Sequence, residues 1–182
     1  MRSHAALSLP ALGGGQALAA EVPGARRPPR PRNGVLSYDA SGSAEFGSAV
    51  DRGAAIRNDS VGSAKLRPAA AGQRANIRIL ADDGWPPALP TSLGNGPVWI
   101  GRQAVDEGYN TVRISSHKLG RILGIPDRKP GTFSGLMSGS SAGMPCTNPY
   151  PKAAEKAEVE SNFTGAFSAS SAAGSVPVLL ED

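Results

Sequence analysis

A single cysteine, Cys146, stands in a chain of 182 residues. That excludes an intramolecular disulfide and any zinc site built from several thiolates. Its neighbours Pro145, Thr147 and Pro149 place it in an irregular loop, where a lone cysteine acts as a small hydrophobe. Aromatic residues make up only 5% of the chain, and Leu, Ile, Val and Phe together number 35, so the core has to be small. No run approaches the roughly 20 apolar residues that cross a bilayer, which excludes a membrane-spanning helix. No glycine-rich phosphate loop opens a helix, so no nucleotide site is expected. Histidine is nearly absent, with only His4 and His117.

A net basic charge on the folded part is also missing. The net charge is +4, yet residues 1–34 alone hold five arginines (Arg2, Arg26, Arg27, Arg30, Arg32) against Glu21. Residues 35–182 therefore balance at zero. A nucleic-acid face needs basic residues spread over a folded surface, often with aromatics for stacking, and the arginine arm has no aromatic. Nucleic acid is excluded as a partner.

What is plentiful is glycine (23) and proline (16), which implies many loops and unpacked ends. Residues 1–20 have a positive start, a short apolar run from Ala5 to Leu12 and a small-x-small Ala17-Leu18-Ala19, the outline of a signal peptide that would export the protein. Residues 21–33 carry four prolines and four arginines and form a linker or pro-segment. Residues 166–182 open on Ala, Ser and Gly and are expected to be a disordered tail. The folded unit is 34–165.

Within it, Gly34 to Tyr38 fits a short strand, and residues 43–60, with Phe46, Val50 and Ile56, fit a helix. Asn76 to Leu80 alternates as a half-buried strand. Residues 81–96 form a long loop, and Pro97 to Arg102 a third strand. Asn110 or Thr111 caps a helix that runs to Leu123 and stops at Gly124, with Pro126 just beyond. Lys152 to Phe163 fits a last, polar helix. This order belongs to an α/β or α+β fold.

The segment Ser116-His117-Lys118-Leu119-Gly120-Arg121-Ile122-Leu123-Gly124-Ile125-Pro126-Asp127 carries the chemistry. His117 and Arg121 are four apart and share a helix face. A turn at Gly124 brings Asp127 back towards that face. His117 and Asp127 could then supply two ligands to one metal. A partly buried histidine on an amphipathic helix, with no metal, satisfies the same pattern.

The spacing is similar to the long zincin motif H-E-x-x-H-x-x-G-x-x-D in its Asp-ending form, the hallmark of the snapalysin family, small secreted zinc metalloproteases of Streptomyces related to the metzincins. Other motifs are colinear with that family. Ser37-Tyr38-Asp39-Ala40-Ser41, followed by Ala49-Val50-Asp51, resembles its first strand and helix. Leu136-Met137-Ser138-Gly139 resembles the Met-turn under the zinc, and Asn148 to Glu155 resembles the start of its C-terminal helix. The resemblance covers residues 34–165. It implies a zincin-like α/β (α+β) fold: a small mixed sheet, an active-site helix, a Met-turn and a C-terminal helix. It also implies a secreted, monomeric zinc endopeptidase acting on protein or peptide substrates, with no membrane partner.

The same resemblance assigns roles that the residues meet only in part. His117 stands at the first zinc-ligand position, Asp127 at the third, Gly124 at the turn and Met137 in the Met-turn. Lys118 replaces the glutamate that polarises the metal-bound water and moves the proton. Arg121 replaces the second histidine, and arginine does not ligate because it keeps its proton. Lys129 replaces a tyrosine two residues after Asp127. The family's cysteine pair around the Met-turn is reduced to Cys146, with Phe133 at the other position. A catalytic zinc normally takes three protein ligands. From Arg113 to Lys129 five basic side chains face one acidic one, and a fixed cation 4 Å from a dication opposes it by on the order of 8 kcal/mol at an effective dielectric of 20. Impaired or absent hydrolysis is therefore expected. The alternative function is that of an inactive pseudoprotease that binds a peptide or protein.

Gly139-Ser140-Ser141-Ala142-Gly143 matches the G-x-S-x-G nucleophile elbow, but no strand precedes it and both histidines come before it in the chain, so a flexible loop is expected. Asn58-Asp59-Ser60 and Asn162-Phe163-Thr164 match the glycosylation pattern. Trp85 and Trp99 are expected to be core or loop anchors.

Overall fold

The computed structural model describes residues 34–172, with side chains to residue 165. The leader 1–20, the Pro/Arg segment 21–33 and the end of the tail from 173 lie outside the described residues.

Alternating apolar residues build a four-stranded sheet. Its strands are β1 (Val35–Gly42), β2 (Lys65–Pro68), β3 (Ile77–Asp82) and β4 (Gly96–Gly101), in the order β2-β1-β3-β4. All three pairings are parallel, with Val35 opposite Lys65, Tyr38 opposite Ile77 and Ile77 opposite Gly96. Among the described residues, antiparallel pairing occurs as isolated bridges in the loop before β4. There Ala88 bridges to Val98, as the Leu89 N–H donates to Pro97 O and the Trp99 N–H to Pro87 O, both at 3.1 Å. Leu36, Tyr38, Leu66, Ile77, Ile79, Val98 and Ile100 are buried, while Arg78 and Trp99 alternate with them and are not. That is the period-2 pattern of a sheet with one core face.

Helix α1 (Gly47–Ser60) and helix α3 (Thr111–Ile122) pack on each other, and the buried apolar sheet residues share one core cluster with Val50, Ala54, Leu119 and Ile122. They approach closely at Gly53, where a Cβ would lie 2.6 Å from Ser115 Oγ. A short 3-10 turn (Ala44–Phe46) precedes α1, and a short helix α2 (Arg102–Asp106) follows β4 directly. The Asn110 side chain caps α3, its Oδ1 accepting from the Arg113 N–H at 2.9 Å. At the other end Gly124, at φ +89°, reverses the chain. Its N–H donates to Arg121 O and the Ile125 N–H to Gly120 O, the paired bonds of a Schellman turn. A 3-10 segment, Leu136–Ala142, and helix α4 (Ala153–Ala172) complete the fold. Helix α4 runs beyond residue 165, through part of the segment expected to be tail. Alanine's high helix propensity suits the continuation. No helix of the described residues is long and apolar enough to cross a membrane.

Two elements are not legible in the sequence. Strand β2 has only Leu66 as a buried apolar side chain and ends on Pro68, a residue tolerated at a sheet edge. Helix α2 spans five residues, too few for a periodic signal.

Candidate active site

Helix α3 carries His117, Lys118 and Arg121 to one side of a cavity of about 490 Å³. The turn at Gly124 returns Asp127 to the same cavity, and Lys129 follows from the loop. Trp85, Pro86, Pro87, Ala88 and Tyr109 form an apolar wall, with the Trp85 and Tyr109 rings edge-to-face at 5.6 Å. The expected loop 81–96 is thus what walls the cleft, and Trp85 belongs to it.

The structure brings His117 and Asp127 together at the cleft. His117 Nε2 lies 3.2 Å from Asp127 Oδ1. Two ligands of one tetrahedral zinc stand about 3.3 Å apart, given bonds of 2.0–2.1 Å, so the first and third positions keep a metal-compatible spacing. His117 Nδ1 is 3.0 Å from Leu136 O, in the segment that carries Met137. An Nδ1–H held by a backbone carbonyl is the usual way a ligating imidazole is oriented.

The other two positions oppose a metal. Arg121 Nε stands 3.6 Å from the same Asp127 Oδ1, so a fixed guanidinium already serves the carboxylate. Half-buried Lys118 lines the cavity from the next residue after His117. Among the described residues no group of three or more His, Cys, Asp or Glu side chains could hold a metal ion. Two ligating side chains and two neighbouring cations do not fit a zinc site that needs three protein ligands.

The electrostatics follow from burial and crowding. Burial pushes the His117 pKa below the ordinary imidazole value; the contact with Asp127 works against that shift, and Lys118 adds to it. A neutral His117 has one N–H for two acceptors, Leu136 O and Asp127 Oδ1. Nδ1 faces the Leu136 carbonyl and Nε2 the Asp127 carboxylate, and Arg121 gives Asp127 a second positive partner. The Asp127 carboxyl is drawn down to about 2, first by its contact with His117 and against partial burial, with Arg121 and Lys129 contributing. Lys118 falls to about 8 because it is buried; Asp127 opposes the fall, while Lys129 and Arg121 deepen it.

The floor of the site is built on Glu155, Arg57 and Arg113, none of them a candidate site residue in the sequence. Glu155, fully buried, accepts the N–H groups of Leu136 (3.3 Å), Met137 (2.9 Å) and Lys152 (2.9 Å). Arg57 is also fully buried: its Nε donates to Ser116 O at 2.9 Å and its Nη2 approaches Met137 Sδ at 3.8 Å. Burial lowers the Arg57 pKa to about 10, and the charge of Glu155 restrains the fall. Arg113, buried as well, donates to Asn148 O, Gly135 O and Ser138 Oγ. For Arg113 the available sequence signal is its place on the buried side of the amphipathic helix α3; Arg57 and Glu155 have none. Met137 itself is fully buried, next to the Leu136 whose carbonyl meets His117 Nδ1.

The remaining sequence candidates fall away from the cleft chemistry. Ser141 accepts from the Gly131 N–H and donates to Ser138 O within the 3-10 segment, with no strand before it. Both amide atoms of Asn58 bond the backbone of Leu66, and Asn162 Nδ2 donates to Leu123 O, so both glycosylation-pattern asparagines serve the fold. Cys146 is buried and unpaired, and its Sγ donates to Phe133 O at 2.8 Å.

Comparison with known proteins agrees with the motifs. Residues 34–166 match the Streptomyces extracellular neutral proteinase (M7) family. The chain is 32% identical over 135 residues to the extracellular small neutral protease of Streptomyces sp. (strain C5), which covers 74% of this chain and 58% of that protein. It is 31% identical to the protein of the same name from Streptomyces lividans, covering 74% of this chain and 59% of that protein. With the one from Streptomyces caespitosus it shares 34% identity over 127 residues, 69% of this chain and 93% of that protein. The chain thus spans about three fifths of the first two relatives and nearly all of the third.

Proposed function

Because the chain belongs to the Streptomyces extracellular neutral proteinase (M7) family, we propose that its cleft receives a protein or peptide segment and that this copy has lost the family's metal-dependent hydrolysis. Relatives named extracellular and the signal-like outline of residues 1–20 support a role outside the cell. One observation carries the loss. Arg121, at the position of the second histidine, sits 3.6 Å from Asp127, where a third metal ligand would otherwise converge. Lys118 compounds it, because a lysine in the glutamate's place leaves no carboxylate base to take the proton of an attacking water. The cleft remains, with an apolar wall and a cavity of about 490 Å³, room for a few side chains.

The test is a binding assay run beside a peptidase assay on the full chain, with a library of quenched fluorescent peptides. Saturable binding without turnover, with or without added zinc, is the expected result. Zinc-stimulated cleavage that a chelator abolishes would overturn the loss of hydrolysis. Failure to bind any peptide would overturn the binding role.

A further inference from the structure

The cleft beside His117 holds more positive charge than its own residues neutralise. Lys118, Arg121, Lys129 and Arg113 line it, and among the lining residues Asp127 is the one carboxylate. Asp127 is already engaged, 3.2 Å from His117 Nε2 and 3.6 Å from Arg121 Nε. Arg113 spends its N–H groups on Asn148 O, Gly135 O and Ser138 Oγ. Among the described residues no hydrogen bond or ion pair reaches the ammonium of Lys118 or of Lys129. Lys129 does not point away from the site. A Cβ at Gly139 would stand 3.1 Å from Lys129 Cε and 3.3 Å from His117 Cε1, so the Lys129 stem crosses Gly139 next to the His117 ring. The site is half-enclosed, so its charges are screened less than those of an open surface.

We propose that this cleft selects carboxylate-bearing peptides, with Lys118, Arg121 and Lys129 receiving a carboxylate from an acidic side chain or from a free C-terminus while the peptide lies along the Trp85–Tyr109 wall. The proposal rests on the peptide-binding role above and adds the charge of the ligand. Lysine and arginine side chains are matched to such a group: arginine offers a planar fork of donors and lysine a compact charge. The same three cations that repel a divalent metal attract an anion.

Three N-acetylated hexapeptides of Ala and Leu serve as probes, titrated calorimetrically into the full chain. One has a central Gln and an amidated C-terminus, one replaces that Gln by Glu, and one keeps Gln but has a free C-terminal carboxylate. At least one acidic peptide is expected to bind tenfold or more tightly than the neutral one, and the one that does identifies the source of the carboxylate. Raising the salt from about 0.05 M to about 0.5 M should shrink that ratio several-fold. In Lys118→Gln/Arg121→Gln the ratio should fall below about twofold, as the positive field is lost. Lys129→Gln, an exposed side chain, is the second variant should the double one fail to fold, and should lower the ratio at least twofold. Equal binding of all three peptides would overturn the charge selectivity and leave peptide binding standing. No saturable binding of any peptide would overturn peptide binding itself. An acidic preference that persists in a cooperatively melting variant would place it elsewhere and overturn the assignment.

Discussion

Replacing Phe133 by cysteine should create a disulfide with Cys146 and stiffen the segment between them, which carries Gly139 and Ser140 on the rim of the cleft. The Cys146 Sγ already lies 2.8 Å from Phe133 O, so the sulfur stands against the backbone of the substituted residue. The Phe133 side chain is 57% exposed, so its removal sacrifices little packing. The bridge would close a loop of 14 residues, from 133 to 146. In the chain-entropy account a loop of about 15 residues contributes about 3 kcal/mol. For a folded unit of this size each kcal/mol moves the melting temperature by about 3–5 °C, which predicts a rise of roughly 10 °C. Thiol titration of unfolded Phe133→Cys should find no free thiol, and reductant should bring the melt back to that of the parent. Two free thiols after air oxidation, or a melt indifferent to reductant, would refute the inferred closeness of positions 133 and 146.

Gly120→Ala should destabilise the fold by about 2–3 kcal/mol in chemical denaturation, because its Cβ would stand 2.0 Å from Arg57 Nη2, and Arg57 is fully buried with nowhere to retreat; an unchanged denaturation midpoint would contradict the packing under α3. Glu160 accepts the N–H groups of Gly62 and Ser63, which hold its pKa below the ordinary glutamate value of 4.5. Its contribution is therefore complete above pH 4.5 and disappears as the pH falls through its lowered folded-state pKa, so Glu160→Gln should flatten the acid limb of a stability–pH curve, and an identical limb would show that the contact with α4 is not formed in solution.

Much of the fold was legible because its signals are local. The alternation of Ile77 and Ile79, the Asn110 cap and the Gly124 stop each announce an element from a few residues. Strand β1 runs on past Tyr38 through Asp39 and Ser41 because it pairs with β3 across a register shift, a tertiary fact that no local pattern contains. The site divides in the same way. His117 and Asp127 were visible through a helix face and a turn, and they meet at 3.2 Å. Arg57 and Glu155 were not, because each reads locally as a solvated charge on a polar helix, and only the packing of α1 and α4 around the Met137 segment buries them. The apolar wall of the cleft comes from a proline-rich loop whose path is fixed by bonds from its backbone to β4.

Lys118 and Arg121 are proposed to close this site to zinc while leaving its frame intact. The most direct test is zinc content by elemental analysis of purified, dialysed native chain, measured beside Lys118→Glu/Arg121→His. The native chain should carry far less than one equivalent and the double variant about one, because the variant restores a third protein ligand and removes both cations. A native chain that retains about one zinc through dialysis would contradict it.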